Sequence, residues 1–139
     1  MRMLTDRLLV QTRGQGLYEI TEEVAAWLAA RAAGDGLLTL FIRHTSASLL
    51  IQENAAPEVR ADLEAFFRAL APEDIARYRH QDEGADDMPA HIRSALLPSQ
   101  LQIPVEAGRL ALGTWQGIYV FEHRRAPHRR ELVLQLWQG

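Results

Sequence analysis

The sequence contains no cysteine and no lysine, so all fifteen cationic side chains among its 139 residues are arginines. Without cysteine the chain cannot form disulfides, thiolate metal sites or iron–sulfur clusters, and it has no cysteine nucleophile. Without lysine it has no Schiff-base amine and no P-loop lysine. The available chemistry therefore belongs to histidine, carboxylate, hydroxyl, amide and guanidinium groups, and nitrogen and oxygen atoms must hold any bound metal.

The sequence also lacks a strong excess of one charge and any long apolar run. A net charge of -3 does not indicate a nucleic acid or an anionic membrane as partner. Apolar runs such as 37–42 are far shorter than the roughly 20 residues that span a bilayer, and no basic and apolar leader opens the chain. We therefore expect a cytoplasmic protein that binds neither nucleic acid nor membrane.

Apolar periodicity predicts one domain over residues 1–139, in which strands bracket a cluster of helices. Strands are predicted at 4–11, 37–42, 101–105, 109–112, 118–122 and 130–137. Helices are predicted from Thr21, Pro57, Pro72 and Asp87, with Thr21 and Asp87 as N-caps. The last helix is expected to bury Ile92, Ala95, Leu96 and Leu97. Because strands and helices do not alternate one for one, the pattern favours an α+β fold with mainly antiparallel sheets.

Histidines in polar surroundings are the first candidates for chemistry. His44 precedes a run of hydroxyl residues, His80 and His91 bracket an acidic loop, and His123 follows Glu122. Imidazole is the commonest neutral metal ligand, and three histidines with an open position would suit a catalytic zinc or a similar ion. No HExxH spacing is present, so each histidine could instead be a surface or hydrogen-bonded residue, and the acidic loop could be solvated.

Three further patterns allow a functional and a structural interpretation. Ser46 lies two residues from His44, which suggests a hydrolase pair, but no GxSxG elbow exists and a turn or ligand-contacting role is preferred. Thr114 and Gln116 lie between two glycines and could contact a substrate, although a hairpin turn is the better structural interpretation. The arginines of 124–130 could hold phosphate through paired donors or be solvated surface.

Five segments together resemble successive signature blocks of the YjbQ-like family, which is also labelled secondary thiamine-phosphate synthase. They are HTSASL at 44–49, QEN at 52–54, GADDMPAHI at 84–92, GTWQGI at 113–118 and EHR at 122–124. The resemblance covers nearly the whole chain. It implies an α+β subunit whose antiparallel sheets pack around a threefold axis in a homotrimer, with polar clefts between subunits.

The resemblance also nominates site residues. The shared histidines of the family match His44, His80 and His91, which we expect to converge in one cleft and hold a divalent metal ion, zinc or magnesium being the candidates. The candidate catalytic residues that match family positions are His44, Asn54, Asp86, Thr114 and Gln116. His123 matches only one branch of the family, so no role follows for it.

The family label implies a transferase that joins a pyrimidine-methyl diphosphate to a thiazole phosphate with loss of diphosphate. Such a transfer needs cations to stabilise the departing diphosphate and a pocket that excludes water. Two alternatives remain open: a non-catalytic module that binds a metal or a nucleotide phosphate, and a metal-assisted hydrolase of small phosphorylated metabolites. In each case the expected partner is a small phosphorylated metabolite.

Overall fold

The computed structural model describes residues 1–139 as eight strands, three α-helices and one 3-10 turn. The strands are β1 (Arg2–Thr12), β2 (Gly16–Glu19), β3 (Gly36–Ile42), β4 (Ala47–Glu53), β5 (Gln100–Glu106), β6 (Arg109–Leu110), β7 (Gln116–Glu122) and β8 (His128–Gln138). The helices are α1 (Thr21–Ala29), α2 (Pro57–Leu70) and α3 (Asp87–Leu96), and the 3-10 turn is Ile75–Arg77. None of the helices has the length and apolar character that crossing a bilayer requires.

The strands form two sheets whose pairs are all antiparallel. The larger sheet has the order β1-β8-β3-β5-β6, and the smaller sheet has the order β2-β7-β4. The long strand β1 pairs with β8 along its whole length and is an edge strand of the larger sheet. The weak alternation of apolar residues in this segment predicts such a position. The arrangement confirms the expected α+β fold with antiparallel sheets.

The hydrophobic core lies between the two sheets and is closed by α1. Along β8, Leu132, Leu134 and Leu136 are fully buried and alternate with more exposed residues, because successive strand residues point to opposite faces. Val24 and Leu28 of α1 belong to the same buried cluster. Ile118 and Val120 of β7 also belong to this cluster, so the core packs against one face of the smaller sheet.

Helices α2 and α3 cover the other face of the smaller sheet. Phe67 of α2 meets Phe121 of β7 edge to face, with ring centroids 5.7 Å apart. The buried Arg93 of α3 ties the two helices together, since its guanidinium donates to the Phe67 carbonyl at 3.1 Å and the Ala71 carbonyl at 2.8 Å. The start of α3 is thereby fixed beside the end of β7.

The outer face of the larger sheet has no helix over it. Met3, Phe41 and Trp137 lie on this face and are 46%, 43% and 38% exposed. Leu37 and Val133 share the face, because they alternate with buried residues along their strands. The outer face of the larger sheet therefore exposes several large apolar side chains, and by the strand register Thr5, Arg7, Glu131 and Gln135 lie among them.

Two strands, one helix and one helix face depart from the sequence prediction. The helix predicted from Pro72 is wrong, since only the 3-10 turn Ile75–Arg77 forms there. The pattern does not predict β2 or β4, because β2 is only four residues long and the hydroxyl-rich start of β4 resembles a turn. In α3 the residues that pack inward include Ala90 and Arg93, whereas Leu96 is 60% exposed, so the expected burial of Leu96 is wrong. Leu96→Ala should consequently cost little stability.

Both expected N-caps are also wrong. Thr21 is the first residue of α1 and its hydroxyl accepts from the Ile118 backbone N–H at 2.9 Å instead of capping the helix. Asp87 is the first residue of α3, and neither it nor Asp86 makes a side-chain cap hydrogen bond. Both side chains instead contact groups other than the backbone N–H groups at the helix start. Thr21 accepts from Ile118, and Asp87 contacts Arg124 and two histidines.

Candidate metal centre

Four potential ligand side chains meet where the acidic loop enters α3. His80 and Glu83 lie on the loop, and Asp87 and His91 lie one turn apart on the helix, which places both on the same face. One ligand atom from each residue lies within 4.8 Å of the others. No other group of histidine and acidic side chains in the chain meets this condition.

The centre of the cluster is a single carboxylate oxygen, Oδ2 of Asp87. His80 Nε2 lies 3.0 Å from this oxygen and His91 Nε2 lies 3.2 Å from it. Neither contact has hydrogen-bond geometry, and Oδ2 is buried without any hydrogen-bond partner. A buried carboxylate oxygen without a hydrogen-bond partner is costly, so Asp87 Oδ2 is a position at which a bound cation would be stabilised.

Arg124, two residues after β7, holds the acidic side of the cluster in place. Its Nη1 donates to Asp87 Oδ1 at 2.8 Å, its Nε donates to Asp86 Oδ2 at 2.9 Å, and its Nη2 donates to the Glu83 carbonyl at 2.8 Å. One guanidinium therefore fixes the helix start and the loop together. Because Arg124 occupies Oδ1, Asp87 presents only Oδ2 to the two imidazoles.

The charges of the cluster are set by these contacts. Burial opposes the ionisation of Asp86, but the hydrogen bonds from Arg124 and from the Arg125 backbone N–H outweigh it and lower the pKa of Asp86. Hydrogen bonding to Glu83, and then the nearby Asp87, raises the pKa of the exposed His80. The raised pKa of His80 means that the carboxyl groups around it stabilise positive charge, which a bound cation would also supply.

The donor set fits a divalent cation bound through nitrogen and oxygen. Two imidazole nitrogens and one carboxylate oxygen make a set of three protein ligands, which is typical of catalytic zinc sites that keep one position open. Glu83, with its side chain 62% exposed, lies beside His80 and is available as a further oxygen ligand. The structure brings His80 and His91 together as expected, while Asp86 lies outside the group and accepts hydrogen bonds from Arg124 and the Arg125 backbone.

His44, the third predicted metal ligand, lies apart from this cluster in the subunit. It follows β3 and lines an open cleft of about 550 Å³ with Arg43, Thr45, Ser46 and Ser99. Its Nε2 accepts a hydrogen bond from the Glu131 backbone N–H at 2.8 Å. Within one subunit the expected convergence of the three histidines does not occur, and a metal role for His44 stays a prediction.

Asn54, Thr114 and Gln116 lie at the opposite end of the smaller sheet. Asn54 follows β4 and donates through Nδ2 to Glu19 at 3.1 Å, while Gln116 begins β7 and accepts from the Gly113 backbone N–H at 2.8 Å. At about 3.3 Å per residue, the length of β7 separates this end from Arg124 by roughly 20 Å. The five candidate catalytic residues therefore form no single site within one subunit.

A buried serine–histidine pair exists, but it is not the one that the sequence suggests. Ser48 Oγ and His123 Nε2 are 2.9 Å apart, and both residues are almost wholly inaccessible to solvent. His123 Nδ1 has no hydrogen-bond partner, so no third group orients the ring. Without access and without an orienting group, the pair is structural and explains why β4 tolerates serine at a core position.

His123 should make stability depend on pH. Burial, and then the neighbouring Arg93, lowers the pKa of His123 to about 3 from a usual value of 6.5. Between about pH 6.5 and pH 3, His123 is protonated in the unfolded chain but not in the folded chain. The free energy of unfolding should therefore fall as the pH drops from 6.5 toward 3. Denaturant titrations of the protein and of His123→Gln across this range measure the effect; an unchanged slope in the variant would contradict it.

The sequence points to part of this arrangement and misses the rest. The four-residue spacing of Asp87 and His91 is the signal that could have placed both on one helix face, and the family resemblance groups His80 with His91. The sequence presents Arg124 only as a phosphate-binding or surface residue, and nothing in its local pattern signals that it clamps Asp86 and Asp87. Its role depends on the end of β7 meeting the start of α3, which only the fold reveals.

Comparison with known proteins places this α+β subunit and its histidine–carboxylate cluster in a family. Residues 6–139 match the family described as UPF0047 protein YjbQ-like. A UPF0047 protein of Synechocystis is 51% identical over 93% of this chain and 88% of its own length. The UPF0047 protein YjbQ of Escherichia coli O157:H7 is 43% identical over 93% of this chain and 94% of its own length. The chain therefore belongs to the YjbQ-like UPF0047 family.

Solved structures agree with this assignment. A conserved hypothetical protein from Thermus thermophilus matches with a TM-score of 0.80 and 37% identity, over 95% of this chain and 99% of that one. A YbjQ-like protein of unknown function from Sulfolobus solfataricus matches with a TM-score of 0.87 over 97% of this chain and 96% of that one. At 20% identity this second likeness supports the fold alone. None of these descriptions states an activity, and none supports the secondary thiamine-phosphate synthase label.

Proposed function

We propose that this chain binds a divalent metal ion between His80, Asp87 and His91 and acts on a small phosphorylated metabolite. One observation carries the metal proposal: two imidazole Nε2 atoms lie 3.0 and 3.2 Å from a buried carboxylate oxygen that has no hydrogen-bond partner. Zinc and magnesium are the candidates, and the nitrogen ligands favour zinc because magnesium prefers oxygen.

The residues of the chain have distinct roles in this proposal. His80, His91 and Asp87 Oδ2 would hold the ion, and Arg124 fixes Asp87 so that only one of its oxygens is presented. When bound, the ion supplies positive charge that stabilises the negative charge of a phosphate or departing diphosphate. The exposed sides of His80 and His91 leave that position open to a ligand from solvent.

The finer proposal is thiamine-phosphate synthase activity, and it rests on the sequence resemblance. Purified protein should be analysed for metal and then assayed with the pyrimidine-methyl diphosphate and the thiazole phosphate, with and without added zinc or magnesium. Metal-dependent turnover that is lost in His91→Ala would support the transferase. Release of phosphate from a panel of phosphoesters, with no condensation, would instead indicate a hydrolase.

A non-catalytic binding module is the second candidate. The observation that favours it is the separation of the candidate catalytic residues, since Asn54, Thr114 and Gln116 lie at the far end of β7 from the cluster. Metal binding without turnover on either set of substrates would support this function. The same measurement would overturn the enzyme proposal and leave the metal proposal intact.

We also propose that the subunit functions as a homotrimer in the cytoplasm. The outer face of the larger sheet supports assembly, because it has no helix over it and exposes the large apolar side chains of Met3, Phe41 and Trp137. Assembly is also the way in which the cluster of one subunit could meet His44 or Asn54 of another. A pocket shared between subunits suits so short a chain.

Phe41→Arg should disrupt the assembly without unfolding the subunit. Phe41 is 43% exposed, so a charge there is tolerated in a monomer but would be desolvated between packed sheets. Light scattering should give a trimer mass for the unmodified protein and a smaller mass for the variant. A monomer mass for the unmodified protein at micromolar concentration would contradict the proposal, and Glu106→Arg, at an exposed position on β5, is the matched control.

A further inference from the structure

The tautomer of His44 is fixed by the backbone of β8. The Glu131 backbone N–H donates to His44 Nε2 at 2.8 Å, so Nε2 must be the unprotonated nitrogen of the ring. In a neutral imidazole the proton then lies on Nδ1.

The protonated nitrogen of His44 is free to serve a ligand. Nδ1 donates to no atom of the subunit, and it is not one of the buried polar atoms that lack a partner, so solvent reaches it. His44 lines the open cleft of about 550 Å³ described above. The His44 ring therefore offers its Nδ1–H as a donor to the cleft, while its Nε2 accepts from the Glu131 backbone N–H.

The other polar groups of the cleft are donors as well. Ser46 Oγ accepts from Arg130 Nη2 at 2.9 Å, which leaves the hydroxyl proton of Ser46 available. Thr45 and Ser99 add exposed hydroxyls to the lining. The cleft therefore combines an imidazole N–H with three hydroxyl groups.

The charges around the cleft favour an anion. Glu131 is neutralised by Arg7 at 2.7 Å and by Arg43 at 2.9 Å, and the buried Glu122 is paired with Arg130. Of these groups Arg43 lines the cleft, and the three guanidinium groups and two carboxylates together carry one net positive charge. Fixed donors and positive charge together are the features that recognise phosphate oxygens.

We propose that the cleft at His44 is a phosphate-binding site in which the Nδ1–H of His44 donates to an oxygen of a phosphate or diphosphate group. Within one chain this site lies apart from the histidine–carboxylate cluster, and phosphate binding at it does not require a bound metal. His44 then acts as a hydrogen-bond donor. The part of the metabolite that binds in the cleft is its phosphate group.

Nitrogen-15 NMR of histidine-labelled protein, with a chelator present, tests the proposal directly. Long-range proton–nitrogen spectra should show His44 with Nδ1 protonated and Nε2 unprotonated, and inorganic phosphate or diphosphate should shift the Nδ1 signal in a saturable way. Protonation at Nε2, or no shift at millimolar phosphate, would overturn the proposal. Because metal is excluded, this result is independent of the fate of the metal centre.

Two substitutions separate the roles of the ring nitrogens. His44→Gln places an amide near the Nε2 position, keeps an acceptor for the Glu131 N–H and removes the Nδ1 donor, so phosphate affinity should fall about tenfold or more. His44→Asn places an amide near the Nδ1 position and should retain affinity within a few-fold. Equal affinity in all three proteins, or equal loss in both variants with unchanged melting temperatures, would contradict the donor role.

Discussion

His91→Ala is expected to abolish divalent-metal binding while the subunit stays folded. His91 supplies one of two imidazole nitrogens to the cluster, and its side chain is 35% exposed with Asp87 as its charged partner. Loss of residues that merely orient a ligand typically costs 10- to 100-fold in metal affinity, so loss of a ligand itself should cost more than about 100-fold. Isothermal titration with zinc and with cobalt measures the change.

The free energy of unfolding of His91→Ala shows whether the loss of metal binding comes from unfolding. A partly exposed polar residue contributes little packing, so His91→Ala should lower the free energy of unfolding by about 1 kcal/mol or less. Leu40→Ala, at a fully buried core position, should cost about 2 to 5 kcal/mol. His128→Ala, a histidine outside the cluster, is the control and should bind metal normally. If His91→Ala binds zinc normally, His91 is not a ligand.

Arg130→Met is expected to produce the largest loss of stability among single substitutions of charged residues. Arg130 and Glu122 form an ion pair in which both side chains are almost completely buried, and Glu122 also accepts from the Thr12 hydroxyl at 2.6 Å. Burial alone would raise the pKa of Glu122, but the hydrogen bonds from Arg130 and Thr12 outweigh it and lower the pKa. Removing Arg130 leaves the buried Glu122 carboxylate without the positive charge that neutralises it.

The expected cost of Arg130→Met is about 3 to 5 kcal/mol at neutral pH. The double variant Glu122→Leu with Arg130→Met should recover part of this loss, because it removes the unpaired charge together with its partner. Denaturant unfolding of the two single variants and the double variant measures the coupling. Additive losses in the double variant would mean that the pair makes no net electrostatic contribution.

Local patterns in the sequence predict most of the fold. Alternation along β8 and the apolar run of β3 follow from burial on one or both faces, and both strands are found close to the predicted bounds. Pro57 marks the first turn of α2 as expected. β4 escapes prediction because Ser48 is a core residue only through its contact with His123, which is 75 positions away.

The candidate site is predictable only in part for the same reason. His80, Asp87 and His91 are close in sequence, so a short loop and one helical turn bring them together. Arg124 reaches Asp87 across 37 positions, and the pairing depends on the packing of α3 against the smaller sheet. Family resemblance groups His44 and Asn54 with these residues, but it carries no information on which subunit of an assembly contributes each one.

Anomalous X-ray scattering from crystals grown with zinc tests the central claim most directly. We expect one strong peak about 2.0 to 2.2 Å from His80 Nε2, His91 Nε2 and Asp87 Oδ2, with Asp87 Oδ1 still bonded to Arg124. Absence of a peak in that position, in crystals where zinc is bound elsewhere on the protein, would contradict the metal centre.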